Sequence, residues 1–179
     1  MTDLHTARLV LREWRDSDIE PLAAVNADPE VMRYIAPPLT RERTEAFIEW
    51  QRGVFAERGW GLWAVEVVAD GALAGVVGLN EPGFLTGVEI SWRLGHEHWN
   101  QGYATEAARA VLAFGFDELR LDEVVSFTTV ANERSRRVME RIGMTRDPAD
   151  DFEHPNVPEG SPLRPHVLYR LQAAARETA

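Results

Sequence analysis

The spacing of apolar and polar residues along the chain predicts alternating strands and helices. Arg8-Leu9-Val10-Leu11-Arg12 alternates as a first strand, and Asp18 followed by Pro21 opens a helix whose proline falls in the tolerated first turn. Thr40 caps a second, longer helix in which Phe47, Trp50 and Val54 recur along one face until Gly59 and Gly61 end it. Two β-rich runs, 62–68 and 73–79, meet across Asp70-Gly71, the signal of a tight hairpin with positive φ. A strand over 87–94, a helix over 100–118, a strand over 123–130, a helix over 132–142 stopped by Gly143 and a strand over 166–171 complete the order. Three consecutive strands without an intervening helix fit a purely parallel sheet less well than a mixed one. The pattern fits an α/β fold, a mixed sheet with helices on both faces. Five prolines and five acids between Asp147 and Pro165 predict a long loop inside the domain.

Composition narrows the chemistry. The 179 residues suit one domain, 1–179, and 45% hydrophobic content suffices for a core. All 19 basic residues are Arg, against 29 acids, and neither Lys nor Cys occurs. Thiol nucleophiles, disulfides, cysteine zinc sites, Schiff-base lysines and the nucleotide phosphate-loop lysine are therefore excluded. A net charge of −10 should repel nucleic acid and anionic membranes and mildly favours cationic small partners. Charges at Asp3, Arg8, Arg12, Glu13 and Arg15 interrupt any apolar leader, so a cytoplasmic location is expected.

The segment from Glu89 to Ala107 carries the most information. A strand runs through a short loop into a helix that Asn100 can cap, and Gly102 leaves room for an anion to approach the free backbone N–H groups at the positive end of the helix dipole. A tightly packed, capped helix explains the same residues. His96-Glu97-His98 lacks the i, i+4 spacing of a helical zinc site and a third ligand, so no metal is expected.

Trp99-Asn100-Gln101-Gly102-Tyr103-Ala104 resembles the acetyl-coenzyme A loop of the GCN5-related N-acetyltransferases (GNAT), with Trp99 where many members carry Gln or Arg. That departure is similar to the RimJ- and RimL-like branch. So are the first strand, Asn132-Glu133-Arg134-Ser135 through Ile142-Gly143-Met144, Phe152-Glu153-His154-Pro155 and His166-Val167-Leu168-Tyr169. The resemblance spans roughly residues 6 to 172. It implies a GNAT-type, mostly antiparallel sheet splayed in the middle, acetyl-CoA as acyl donor and an amine acceptor; it also makes a homodimer plausible. Pyrophosphate would rest on the backbone from Asn100 through Gln101, Gly102, Tyr103 and Ala104 to Thr105, beside Trp99. Pantetheine would pair with backbone near Trp92, Arg93 and Leu94. Asn132 would meet the pantetheine arm and Ser135 the sulfur. Positions 132, 135, 136 and 139 share a helical face, which would bring Arg136 to an anionic part of the cofactor. Asn132 is equally a helix N-cap, Ser135 a common first-turn residue and Arg136 a solvated charge.

Without Cys, direct attack of the amine on the thioester in a ternary complex is favoured over a covalent relay. Glu89 is the candidate base, or else a strand-edge carboxylate or a partner of Arg93. A backbone N–H near Trp92 to Leu94 would meet the oxyanion. Many relatives carry a tyrosine acid seven residues after the Asn; that position is Met139, which leaves Ser135 as the hydroxyl near the leaving thiolate. Met32, Tyr34, His154 and His166 are further residues for the acceptor pocket, each equally explained by packing or a surface loop. A non-catalytic acyl-CoA-binding module and a transferase for a longer acyl group such as succinyl, which would need a cation or more space near the thioester, are the alternatives.

Overall fold

The computed structural model describes residues 3–174. Nine strands form one sheet in the order β1-β2-β3-β4-β5-β6-β9-β7, with β8 also paired to β9. The strands are β1 (Leu4–His5), β2 (Leu9–Arg12), β3 (Leu62–Val67), β4 (Leu73–Asn80), β5 (Val88–Leu94), β6 (Glu123–Thr129), β7 (Thr145–Arg146), β8 (Phe152–Glu153) and β9 (Pro165–Gln172). The helices are α1 (Ile19–Ala27), α2 (Pro29–Met32), α3 (Arg41–Arg58), α4 (Tyr103–Asp117) and α5 (Glu133–Arg141).

Local signals set most boundaries. Thr40 Oγ1 accepts from the Arg43 amide at 3.3 Å at the start of α3, and Gly59, at φ 76°, ends it. Gly71, at φ 73°, turns the β3–β4 hairpin. The predicted 147–165 loop is only partly a loop, because Phe152 and Glu153 pair with His166 and Pro165. The predicted start of α4 at Asn100 is also corrected. Asn100 (φ 60°) and Gly102 (φ 81°) both adopt left-handed backbone, and the helix begins at Tyr103 with no side-chain cap.

Every pairing is antiparallel except β5 with β6, which is parallel and confined to Val88↔Val124 and Glu89↔Val125. Beyond Glu89 the two strands separate, which opens the sheet at its centre. Leu79 lies against Gly115 of α4 and is paired with Ile90, so Ile90, Trp92 and Leu94 face α4. Glu89, Ser91 and Arg93 face the other way, and the Arg93 guanidinium lies over the Phe47 ring of α3 at 5.7 Å.

Candidate active site

The separation of β5 and β6 forms the base of a cleft of about 910 Å³. On the β6 side, Ser126 Oγ donates to the Ile90 carbonyl at 2.9 Å. Because alternate residues of a strand present N–H and C=O to the same edge, Ile90, Trp92 and Leu94 direct theirs toward β6. Leu94 O accepts from Trp99 Nε1 at 2.9 Å. The Trp92 peptide groups therefore border the gap, an open stretch of strand edge.

Glu89 sits where the strands part and is buried. Burial pushes its carboxyl from 4.5 to about 7, against the opposing effect of Asn80, whose Nδ2 donates to Oε2 at 3.3 Å. Asn80 faces Glu89 in the β4–β5 register. Glu89 does not pair with Arg93, which rules out that alternative; Arg93 is likewise desolvated, and its guanidinium is pushed down to about 10.

At the other end of the cleft, the first-turn N–H groups of Tyr103, Ala104 and Thr105 have no i−4 carbonyl and no side-chain cap. Arg8 holds this turn from outside. It pairs with Glu106 at 2.6 Å, donates to the Gln101 carbonyl at 2.9 Å and stacks on the Tyr103 ring at 4.8 Å. A side chain at Gly102 would sit 3.4 Å from the Arg8 guanidinium in a backbone conformation that L residues rarely adopt. Uncapped N–H groups at the helix's positive end suit a phosphate group.

Trp92, Arg93, Leu94, Trp99, Asn100, Gly102, Tyr103, Ala104 and Thr105 all line this one cleft, as do Glu89, Asn132 and Ser135. Two expected residues do not. Gln101 turns back, its Nε2 donating to the Glu97 carbonyl at 2.8 Å. Arg136 donates to the Val130 carbonyl at 3.2 Å and lies outside the cleft lining, because its helical neighbour Met139 is fully buried in the core and turns that face inward. Arg134, Arg137 and Arg141, one face round, border the cleft instead, and Arg134 stacks over Trp99 at 4.2 Å. Met139, being buried, also accounts for the apolar residue at its position.

Asn132 does cap α5: its Oδ1 accepts from the Ser135 amide at 3.3 Å while its Nδ2 donates to Thr128 Oγ1 at 2.9 Å. A wall of Phe127, His154 and His166 closes the β9 side of the cleft, and Phe84 and Phe152 pack behind it. Burial pushes both histidines below their ordinary value; the neighbouring His166 adds to the lowering at His154, while backbone hydrogen bonding opposes it at both and Glu153 opposes it at His166.

Residues 8–145 match the family described as acetyltransferase (GNAT) domain. The chain is 31% identical to the uncharacterized N-acetyltransferase YnaD of Bacillus subtilis (strain 168) over 93% of this chain and 94% of that one. It is 34% identical to the FsC-acetyl coenzyme A-N(2)-transacetylase of Aspergillus fumigatus over 79% of this chain and 64% of that one. A GNAT-family acetyltransferase from Bacillus anthracis superposes with a TM-score of 0.81 at 28% identity, covering 97% of this chain and 99% of that one. The chain belongs to the GNAT acetyltransferase family, and it is an acyltransferase.

Proposed function

We propose that the protein is an N-acetyltransferase that moves an acetyl group from acetyl-CoA to a primary amine by direct attack within a ternary complex. The observation that carries this reading is the position of Glu89, a buried carboxyl with a raised pKa at the point where β5 leaves β6, in the same cleft as the uncapped start of α4. The printed name of the Aspergillus relative, which includes acetyl coenzyme A, supports the choice of donor. Trp99 in the loop and the order of the later motifs favour the RimJ- and RimL-like branch.

In this reading the donor's pyrophosphate rests on the amides of Tyr103 to Thr105, with Trp99, Asn100 and Gly102 shaping the loop and Arg134 and Arg137 supplying charge. Its pantetheine arm runs along the free edge of β5 at Trp92, between Ile90 and Leu94. Asn132 and Ser135 border the arm from α5. The donor supplies a thioester carbonyl. Glu89, ionised, accepts a proton from the acceptor ammonium or from the attacking amine. The Trp92 N–H is the backbone donor nearest the developing oxyanion, and Ser135 is the hydroxyl available to the departing thiolate.

The test is thiol release from acetyl-CoA across a panel of amines and N-terminal peptides, beside a melting scan with the donor. Release on one amine class, lost in Glu89→Gln, supports the transferase. A donor-dependent melting shift with no release across the panel would favour the non-catalytic binding module, and neither shift nor release would overturn the donor assignment.

A further inference from the structure

Among the described residues, Arg93 is a cation without an anion. Its Nε is buried with no hydrogen-bond partner among the described residues, and its guanidinium lies over the Phe47 ring at 5.7 Å. Its neighbours on the same face of the sheet include Val76, directly across in β4, and Leu62, both apolar cleft residues. Three carboxylates line the cleft, and each is engaged elsewhere. Glu30 is 3.7 Å from Arg33, Glu133 is 3.0 Å from Arg137, and Glu89 is bonded to Asn80. Desolvating a guanidinium without an opposing charge is costly, and a ligand that brings the anion relieves the cost.

We propose that Arg93 receives a carboxylate carried by the acceptor, so that the substrate is an amine that is also an acid, its amine at Glu89 and its carboxylate at Arg93. This rests on the transferase reading above. The acceptor, not the acyl chain, is the source for a geometric reason. The donor arm lies along the β5 edge at Trp92, whereas Arg93 projects out of the sheet, on the face of Glu89 and toward α3. Such an acceptor is a zwitterion near neutral pH, which the overall charge of −10 neither attracts nor repels as a whole, so a local cation is the means of orienting it.

The experiment uses L-amino acids and ω-amino acids of increasing length, each beside its own carboxamide, with acetyl-CoA and with succinyl-CoA. Wild type should prefer the acids by roughly tenfold or more in kcat/KM, the scale of a charge-assisted hydrogen bond. In Arg93→Met that ratio falls to near one. Arg93→Lys, which keeps the charge and loses the fork, retains part of it. Without ligand, Arg93→Met should melt higher than wild type, because it removes a desolvated cation; a lower melting temperature would mean that the cation already has a structural partner, and would overturn the proposal. So would a ratio near one in wild type, or one that survives in Arg93→Met. Faster transfer from succinyl-CoA than from acetyl-CoA to the carboxamides, lost in Arg93→Met, would assign the acid to the donor and also overturn it. If no amine is acetylated, melting scans with coenzyme A and each acid decide separately: an Arg93-dependent shift by acids and not amides supports the anion site while the transferase reading fails, and no such shift overturns both.

Discussion

Ser126 Oγ and the Ile90 carbonyl are joined at 2.9 Å across the point where β5 and β6 part. Backbone pairing between these strands ends at Glu89 and Val125, so this side-chain bond is the first link past the last ladder pair. It fixes how far up the strand the cleft begins, and with it the position of the Trp92 peptide beyond.

Ser126→Ala leaves the buried Ile90 carbonyl without that donor. The expected cost is about 1–2 kcal/mol in chemical denaturation. The KM for acetyl-CoA should rise together with it, because the free edge of β5 is no longer held at a fixed separation. A variant with unchanged stability and KM would show that the two ladder pairs hold the junction unaided.

Glu89 sets the pH dependence of both activity and stability. Its folded pKa of about 7 lies above the ordinary 4.5, so the folded state binds a proton that the unfolded chain has released between those values. Its contribution to stability is full below about 4.5 and is lost as pH rises through about 7, a change of about 3 kcal/mol at the rate of 1.36 kcal/mol per unit. Activity runs the opposite way, since the base must be ionised: kcat/KM should rise with unit slope to a plateau above about 7. Glu89→Gln should lower kcat by roughly 10²- to 10⁴-fold, as for loss of a general base. It should also flatten the pH dependence of stability over the same range, read by melting scans in buffers from pH 5 to about 8.

Asn80 tunes that limb from the neighbouring strand. Its bond to Glu89 Oε2 favours the ionised carboxylate, so Asn80→Leu should move the acidic limb of the kcat/KM profile to higher pH and leave the high-pH plateau closer to wild type. A limb that stays in place would mean that burial alone sets the pKa. Asn80→Asp, which sets a second carboxylate beside Glu89, should move the limb further still.

These residues show what a linear sequence reveals. Thr40, Gly59 and Asp70-Gly71 act within a few residues of themselves, and the elements they begin or end are legible from pattern alone. Glu89, Trp92 and the 99–105 loop were legible because one strand, one turn and one helix start carry them in order. Asn80 was not, because its role comes from being across from Glu89 in the β4–β5 register. β8 was missed because two residues amid prolines carry no periodicity. The start of α4 was misjudged because Asn100, a good cap by type, takes left-handed backbone and leaves the helix uncapped. On α5 the spacing puts 132, 135, 136 and 139 on one face, yet only Asn132 and Ser135 of that face line the cleft. Met139 reaches the core, which turns Arg136 away and brings Arg134, Arg137 and Arg141 to the cleft. Val138 and Met139, the two apolar residues among six charged ones on α5, are the available signal for which side packs inward.

Arg8 holds the loop from a distance. It is half exposed, so its ion pair with Glu106 adds little to global stability, on the order of 1 kcal/mol or less. Its bond to the Gln101 carbonyl and its stack on Tyr103 instead hold the 100–102 turn, in which Asn100 and Gly102 are left-handed. Arg8→Ala should therefore raise the KM for acetyl-CoA with a small effect on kcat and melting temperature. An equal fall in kcat with unchanged KM would assign Arg8 some other role.

The two arginine faces of α5 give the sharpest contrast. Arg134, stacked on Trp99 at the phosphate end of the cleft, should contribute to donor binding, and Arg134→Ala should raise the KM for acetyl-CoA about tenfold, with a steeper loss at low salt than at high. Arg136→Ala should leave that KM near wild type, because the side chain lies outside the cleft lining, donates to the Val130 carbonyl and acts electrostatically on Asp151. Its effect belongs to the joint between β6 and α5, and is read in melting temperature. Equal KM effects from the two variants would mean that α5 rotates when the donor binds, bringing Arg136 round to the cleft; opposite effects keep the helix as the rigid wall that a fully buried Met139 implies.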